Sequence, residues 1–243
     1  MELKQQRIVI TGGTSGIGYA LTKHLHPKNE LIIIGRNTDK LKALTQEFRG
    51  IVTYKADLSR TEDVETTADT IIKQFESIDL LINNAAVQHP PTFLDDSFSY
   101  ESIAREITLN FTSVCHLSYL LLPALLHDRK AAILNMNSGL GLAPKTSSAI
   151  YCGTKGALNI FSKSLRYQLE KTNVKVLQTF LPLVSTSMTT GRGNNKLTPE
   201  AAATSIIHGI EHDILDHDIG KVKLLRALLR IAPLIAHRIL KKS

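Results

Sequence analysis

Apolar residues fall into short runs that alternate with stretches of helical spacing along the whole chain. Six runs predict strands, at residues 7–10, 30–34, 51–55, 79–82, 131–138 and 174–180. Helical spacing predicts helices at 19–26, 61–75, 101–127 and 149–169, with another beginning at 198. Regular alternation of this kind is typical of a parallel sheet covered by helices on both faces. We therefore expect one doubly wound α/β domain over residues 1–243.

A glycine-rich turn follows the first strand, with the sequence Thr11-Gly-Gly-Thr-Ser-Gly-Ile-Gly18. Glycines permit a positive φ and let the backbone approach a ligand closely. The helix that begins after the turn would direct its free amides and positive dipole end toward a phosphate group. In this strand–turn–helix context we predict a dinucleotide site, although a plain tight turn is the alternative.

The second predicted strand ends in Gly35-Arg36-Asn37. A dinucleotide unit that prefers NAD places a carboxylate near this point to hold the ribose 2′-hydroxyl. Here the position offers Arg36, whose guanidinium suits the 2′-phosphate of NADP. We predict a preference for NADP(H), and the alternative is an ordinary solvated arginine.

A tyrosine and a lysine lie four residues apart at the start of a predicted helix, as Tyr151 and Lys155. Residues four apart share a helix face, so the ammonium is expected to favour the phenolate and lower the tyrosine pKa by about two or three units. Ser138 ends the fifth strand and is placed to bind the same substrate oxygen. Such pairs are more often solvated helix faces, so the prediction depends on the other motifs.

Further polar residues fall beside apolar runs. Asn83 and Asn84 follow the fourth strand, where they would line a site or only tie strands together. Asn110 lies on an apolar stretch of a predicted helix, as a core amide or a functional bend. The segment 185–196 is rich in Ser, Thr, Gly and Asn, and we expect a substrate lid over about residues 185–213.

Composition and charge limit which metal sites, cellular location and partners are expected. The two cysteines provide neither a disulfide framework nor metal-ligand spacing, so no metal site is expected. The apolar run near the N-terminus is too short for a signal peptide, which favours a cytoplasmic location. Seven of the 29 basic residues lie in residues 221–243, so the other 22 balance the 22 acidic residues. The neutral main body gives no reason to expect nucleic-acid binding.

The basic tail from 221 to 243 is amphipathic. Its apolar stripe comprises Leu224, Leu228, Ile231, Ile235 and Ile239. Pro233 is expected to interrupt or restart the helix. The interpretation preferred from the sequence is that the stripe packs on this domain or on a partner subunit. The alternative is a membrane-surface helix, since the opposite face is basic.

Taken together, the motifs identify a family. Thr11-Gly-x-x-x-Gly-x-Gly18, Asp57, Asn83-Asn-Ala85, Asn110, Ser138 and Tyr151-x-x-x-Lys155 occur in the order and spacing of short-chain dehydrogenases/reductases. The chain resembles that family from about residue 7 to residue 186. It departs at Ala86, where a glycine is usual, and in the basic tail, where many members have a glycine-rich end.

The resemblance implies a Rossmann domain with a seven-stranded parallel sheet, a homodimer or other homo-oligomer, and a shared hydride-transfer site. Tyr151 would be the general acid/base, Lys155 would lower its pKa and hold the nicotinamide ribose, Ser138 would orient the substrate, and Asn110 would hold a relay water. The expected cofactor contacts are Gly12, Thr14, Ser15, Gly16, Ile17, Gly18, Arg36, Asn37, Asp57, Leu58, Asn84, Ala85, Tyr151, Lys155, Val184 and Thr186.

The expected function is therefore an NADP(H)-dependent oxidoreductase that interconverts a small-molecule carbonyl and an alcohol. The alternative is a dinucleotide-sensing regulatory protein that keeps the fold without turnover. A pure binder would need only the glycine turn and Arg36, so the Ser138, Tyr151 and Lys155 set favours the enzyme.

Overall fold

A single seven-stranded sheet forms the centre of the protein in the computed structural model, which describes residues 1–241. All paired strands are parallel, and their order is β3-β2-β1-β4-β5-β6-β7. The chain reverses its direction of progress across the sheet between β1 and β4, where the carboxyl ends of strands open a crevice. The predicted doubly wound α/β fold is confirmed. Residues 242 and 243, the end of the predicted tail, lie outside the described residues.

The strands and helices alternate in the predicted order. The strands are β1 Arg7–Thr11, β2 Glu30–Gly35, β3 Val52–Lys55, β4 Leu80–Asn83, β5 Ala131–Ser138, β6 Val174–Leu181 and β7 Asp216–Asp218. The helices are α1 Gly16–Leu25, α2 Thr38–Glu47, α3 Thr61–Gln74, α4 Glu101–Ile107, α5 Ser113–Leu120, α6 Leu122–Leu125, α7 Ala149–Gln168, α8 Pro199–Glu211, α9 Lys221–Ile231 and α10 Pro233–Lys241.

Alternate residues of the central strands supply two separate cores. Ile8 and Ile10 of β1 face the layer that contains α1 and α8, whereas Val9 faces the layer of α3 and α5. Each central strand is therefore apolar on both sides, because helices cover both faces of the sheet. This burial explains why the strands appear in the sequence as nearly continuous apolar runs.

Two predicted elements need correction. The helix predicted over 101–127 is divided into α4, α5 and α6, with a π-helical turn at Thr108–Thr112 between the first two. The lid predicted over about residues 185–213 includes α8, which packs on α1 through the fully buried Ala202, Ala203 and Ile206, so only the loop before α8 can serve as a lid, and that role stays a prediction.

The tail packs differently from the preferred interpretation. Val222 and Ala236 are buried on the domain side, whereas Leu224, Ile231 and Ile239 of the predicted stripe are exposed. The prediction that the stripe packs on this domain is therefore wrong, and a partner subunit is not tested. The helix stops at Ile231 and restarts at Pro233, as proline predicts. Within residues 1–241, no helix has the length and apolar character that crossing a membrane would require.

Candidate active site

The glycine turn is held tightly against its own helix. Gly12 has a φ of +68° and its amide donates to the Ile34 carbonyl of β2 at 2.8 Å. A Cβ added to Gly18 would lie 2.2 Å from the Gly12 carbonyl oxygen. Such a contact is impossible for a side chain, so only glycine lets α1 approach the turn this closely. The turn therefore keeps a shape that leaves the start of α1 facing the crevice.

The end of β4 fixes the same turn from the other side. The Thr11 hydroxyl accepts hydrogen bonds from the amides of Asn84 and Ala85, both at 2.9 Å. The Asn84 side chain donates to the Thr11 carbonyl at 2.9 Å and to the Gly12 carbonyl at 3.2 Å. Asn83 instead donates to Asn135 of β5 at 2.9 Å, which fits its alternative interpretation as a tie between strands.

The first turn of α1 presents free backbone donors. Ser15 at the N-cap position has extended backbone angles and makes no side-chain cap hydrogen bond. The residues around it, Thr14, Gly16 and Ile17, are only partly buried. A Cβ on Gly16 would lie 3.0 Å from the Thr186 methyl carbon, so the loop after β6 reaches the glycine turn. Unpaired amides at a helix N-terminus suit a phosphate group.

Arg36 lies beside this turn, at the end of β2. Gly35 packs against Thr14, since a Cβ added there would lie 3.4 Å from the Thr14 methyl carbon. The Arg36 side chain is exposed, and Asn37 caps α2 by accepting the Lys40 amide at 2.9 Å. Arg36 therefore directly follows a residue that contacts the predicted phosphate-binding turn, and its charge helps to lower the pKa of Asp57.

The end of β3 supplies the other predicted cofactor contacts. Burial raises the pKa of Asp57, but hydrogen bonds from Ser59 together with the charges of Arg105 and Arg36 outweigh it and leave that pKa below its ordinary value. The Asp57 carboxylate accepts from the Ser59 hydroxyl at 2.7 Å. Leu58 is buried in the core, as is Val184 after β6. The structure thus places the predicted cofactor residues along one edge of the sheet, and their roles stay predictions.

Tyr151, Ser138 and Lys155 meet at the carboxyl end of β5. The Ser138 hydroxyl lies close enough to the Tyr151 phenol to act on its pKa. Lys155, one turn further along α7, lies with its Nζ 5.7 Å from the centre of the Tyr151 ring. The Nζ atom donates to the Met136 carbonyl at 2.7 Å, and both Tyr151 and Lys155 are buried. The solvated helix face that was the alternative for this pair is therefore wrong.

The prediction that Lys155 lowers the tyrosine pKa is wrong for the protein side chains alone. Burial raises the pKa of Tyr151 to about 12, and the nearby Ser138 hydroxyl opposes that shift only in part. Burial likewise lowers the pKa of Lys155 to about 8. The physical reason is that a desolvated site disfavours both charged forms, and the lysine gives its hydrogen bond to a backbone carbonyl.

Asn110 lies in the π-helical turn between α4 and α5 and is buried. Its amide accepts from the Val87 backbone N–H at 2.9 Å and donates to the Val87 carbonyl at 2.8 Å. It also donates to the Thr154 hydroxyl on α7 at 3.3 Å. The π turn provides the bend, and the three hydrogen bonds equally fit a core amide, so a functional role of the bend stays a prediction. The relay water stays a prediction.

Several residues near Tyr151 escaped the sequence analysis. The buried Glu106 carboxylate accepts the His89 amide at 2.8 Å, and both residues line a cavity of about 200 Å³. Burial raises the pKa of Glu106. Arg192 reaches from the loop after β6 to donate to the Gln88 side chain at 2.7 Å. A carboxyl residue inside a helix and an arginine in a loop carry no sequence signal without the fold.

Comparison with known proteins agrees with this geometry. A family model described as short chain dehydrogenase matches residues 6–197. The chain belongs to the short-chain dehydrogenase family. It is similar to the uncharacterized oxidoreductase DltE of Bacillus subtilis, with 35% identity over 189 residues that cover 77% of this chain and 75% of that protein. As a member of this family it is an oxidoreductase.

Solved structures share the fold at lower identity. A short chain dehydrogenase from Burkholderia cenocepacia in complex with NADP superposes with a TM-score of 0.89, at 20% identity over 99% of each chain. A 3-ketoacyl-(acyl-carrier-protein) reductase from Brucella melitensis complexed with NADH gives a TM-score of 0.81, at 21% identity over 90% of this chain and 98% of that one.

Proposed function

We propose that this oxidoreductase interconverts a small-molecule carbonyl and an alcohol with NADP(H), using Tyr151 as the general acid/base. The observation that carries the proposal is that the Ser138 and Tyr151 hydroxyl groups lie close together at the carboxyl edge of the sheet, with Lys155 one helical turn away. Two hydroxyl groups that converge on one point can bind a single substrate oxygen. Proton transfer by such a positioned group contributes about 10²–10⁴-fold to a rate.

The crevice fits a dinucleotide. The glycine turn is a cradle that a Cβ would fill, and the free amides of α1 face it. Gly16 and Ser15 would hold the pyrophosphate, Asp57 the adenine end, and Lys155 the nicotinamide ribose. When bound, the nicotinamide would supply or accept the hydride at the substrate carbon. The NADP- and NADH-bound structures with this fold support a cofactor of this class.

Arg36 supports NADP(H) as the preferred form. Its side chain is exposed and follows Gly35, which contacts the turn, and the segment Gly35-Arg36-Asn37 lacks the carboxylate that would hold a ribose 2′-hydroxyl. A guanidinium can bind a 2′-phosphate through two charge-assisted hydrogen bonds. We expect Arg36 to be the main determinant of the choice between the two cofactors.

The raised pKa of Tyr151 suits the reduction of a carbonyl. A phenol with a pKa of about 12 is fully protonated at neutral pH, and that is the form that donates a proton to a developing alkoxide. Ser138 would hold the same oxygen, and Asn110 would lie at the start of the path that returns a proton from solvent. The oxidation of an alcohol would require the phenolate, so we expect its rate to rise with pH.

The test is NADPH oxidation, followed by absorbance, against a panel of ketones and aldehydes. Tyr151→Phe keeps the ring and removes the transferable proton, so turnover should fall by about 10²–10⁴-fold while NADPH binding survives. Ser138→Ala should also lower the rate with NADPH binding unchanged. Near-normal turnover by Tyr151→Phe would refute the mechanism. NADPH binding without turnover of any substrate would favour the dinucleotide-sensing alternative.

A further inference from the structure

We propose that the C-terminal helices α9 and α10 form a docking surface for an anionic lipid bilayer. The proposal concerns a surface outside the candidate active site and does not depend on the reaction. It rests on three features of the tail: exposed apolar side chains, exposed cations beside them, and a firm attachment to the domain through the opposite face.

The first feature is a concentration of exposed apolar side chains. Five of them project from two short helices, with exposed fractions between 54% and 84%: Leu224, Ile231, Leu234, Ile235 and Ile239. Leu224 and Ile231 lie seven residues apart, and Ile235 and Ile239 lie four apart, so each pair shares one side of its helix. A group of neighbouring exposed apolar side chains, unlike single scattered ones, marks a surface that a membrane or another molecule covers.

The second feature is the arrangement of charge. The described part of the tail contains no acidic residue, and its exposed cations are Lys221, Lys223, Arg230, Arg238 and Lys241. On α9, Lys221 lies about 60° around the helix axis from Leu224 in one direction and Lys223 lies about 100° from it in the other, so cations border the apolar strip on both sides. Apolar residues that can enter the headgroup region, bordered by cations, match an anionic bilayer.

The third feature is that the opposite face holds the helices in place. Val222 and Leu225 lie against Gly139, and a Cβ added there would be 3.3 Å from each side chain. Arg226 forms a short ion pair with Asp218 and lies over the Phe180 ring, 4.6 Å from its centre. The exposed strip is therefore a fixed surface of the folded domain.

Lipid is a better occupant than a second copy of the chain. A two-fold contact between two tails would bring the same basic residues together, which costs several kcal/mol when charges are buried unpaired. The main body has 22 basic and 22 acidic residues and offers no net negative charge to a copy. An anionic bilayer instead supplies the complementary charge and an apolar interior.

The tail also reaches the cavity that Glu106 and His89 line. Thr146, which lines the same cavity, donates to the Lys241 carbonyl at 2.6 Å.

The test is flotation of the full-length protein with vesicles of phosphatidylcholine, alone or with about one-quarter phosphatidylglycerol. We expect binding to the anionic vesicles to be at least about tenfold stronger, and to weaken as NaCl rises from about 0.1 M to about 0.5 M. Leu224→Gln/Ile231→Gln should reduce binding by about tenfold or more. Lys223→Gln/Arg230→Gln should reduce both the binding and its salt dependence.

Leu94→Gln/Tyr119→Gln is the matched control, because it removes two apolar side chains of 95% and 77% exposure outside the tail. It should bind vesicles like the parent, and circular dichroism melting should show that every variant is folded. Equal affinity for neutral vesicles, no binding to either kind, or an equal loss in the control would overturn the proposal. Light scattering that shows tail-dependent dimers without lipid binding would assign the surface to a second copy and overturn it as well.

Discussion

Lys155 should make the protein's stability depend on pH in a way that its replacement by methionine removes. The folded protein gives up the Lys155 proton near pH 8, because burial lowers its pKa from 10.5. The unfolded chain keeps that proton up to its ordinary pKa. The unfolded state therefore binds more protons between about pH 8 and pH 10.5, so folding stability rises with pH through that window.

The magnitude follows from the size of that shift. A change of one pKa unit corresponds to about 1.36 kcal/mol, so the charged Lys155 costs the folded state about 3 kcal/mol at pH 7, and most of this penalty is gone by pH 10. Lys155→Met removes this cost but leaves the Met136 carbonyl without the hydrogen bond from Nζ, and an unsatisfied buried acceptor costs about 1–3 kcal/mol. At pH 7 we therefore expect Lys155→Met to change stability little.

The pH dependence is the sharper measurement. Between pH 7 and pH 10, the wild-type free energy of unfolding should rise by about 2 kcal/mol relative to Lys155→Met. Urea unfolding of both proteins across this range measures the difference, and titrations common to both proteins cancel. Lys155→Met should also lose most of its reductase activity. A difference between the two proteins that stays constant with pH would refute the assignment of Lys155 as a desolvated ammonium.

Three further substitutions test other parts of the site. Arg36→Asp should reverse an expected preference for NADPH of about tenfold to hundredfold, measured by the affinities for NADPH and NADH; equal parent affinities would contradict it. Gly18→Ala forces a methyl group against the Gly12 carbonyl, so cofactor binding and melting temperature should fall, whereas Gly153→Ala, with open space around it, should not lower either. Asn110→Leu removes both hydrogen bonds to Val87 and should cost about 2 kcal/mol by urea unfolding; an unchanged midpoint would mean the loop is held elsewhere.

The sequence alone located most of the sheet, because strands buried on both faces are continuous apolar runs. Six of the seven strands were predicted to within about one residue at each end. The seventh, Asp216–Asp218, has the sequence Asp-His-Asp and no apolar residue to mark it. This strand forms because the edge of β6 offers it backbone hydrogen-bond partners. Such pairing joins segments that are distant in the sequence, so it depends on the tertiary structure. The predicted helix over 101–127 failed for a similar reason, since a π turn is set by what Asn110 contacts.

Most of the site residues could also be predicted from the sequence alone. Glycine spacing, a tyrosine four residues before a lysine, and a serine at a strand end are local patterns with direct physical meanings, and they indicated the family. The structure brought those residues to one edge of the sheet, as parallel strands require. Glu106 and Arg192 carry no such local pattern, so only the fold could place them beside Tyr151.

What the sequence could not determine is how far each group is removed from water. It predicted the neighbours Tyr151 and Lys155 correctly and the direction of the tyrosine pKa wrongly, because proximity is local whereas burial depends on everything packed around the pair. The same distinction applies to the tail. Periodicity identified its apolar stripe, but only the tertiary structure decided which face meets the domain, since that choice depends on the shape of the surface beneath it.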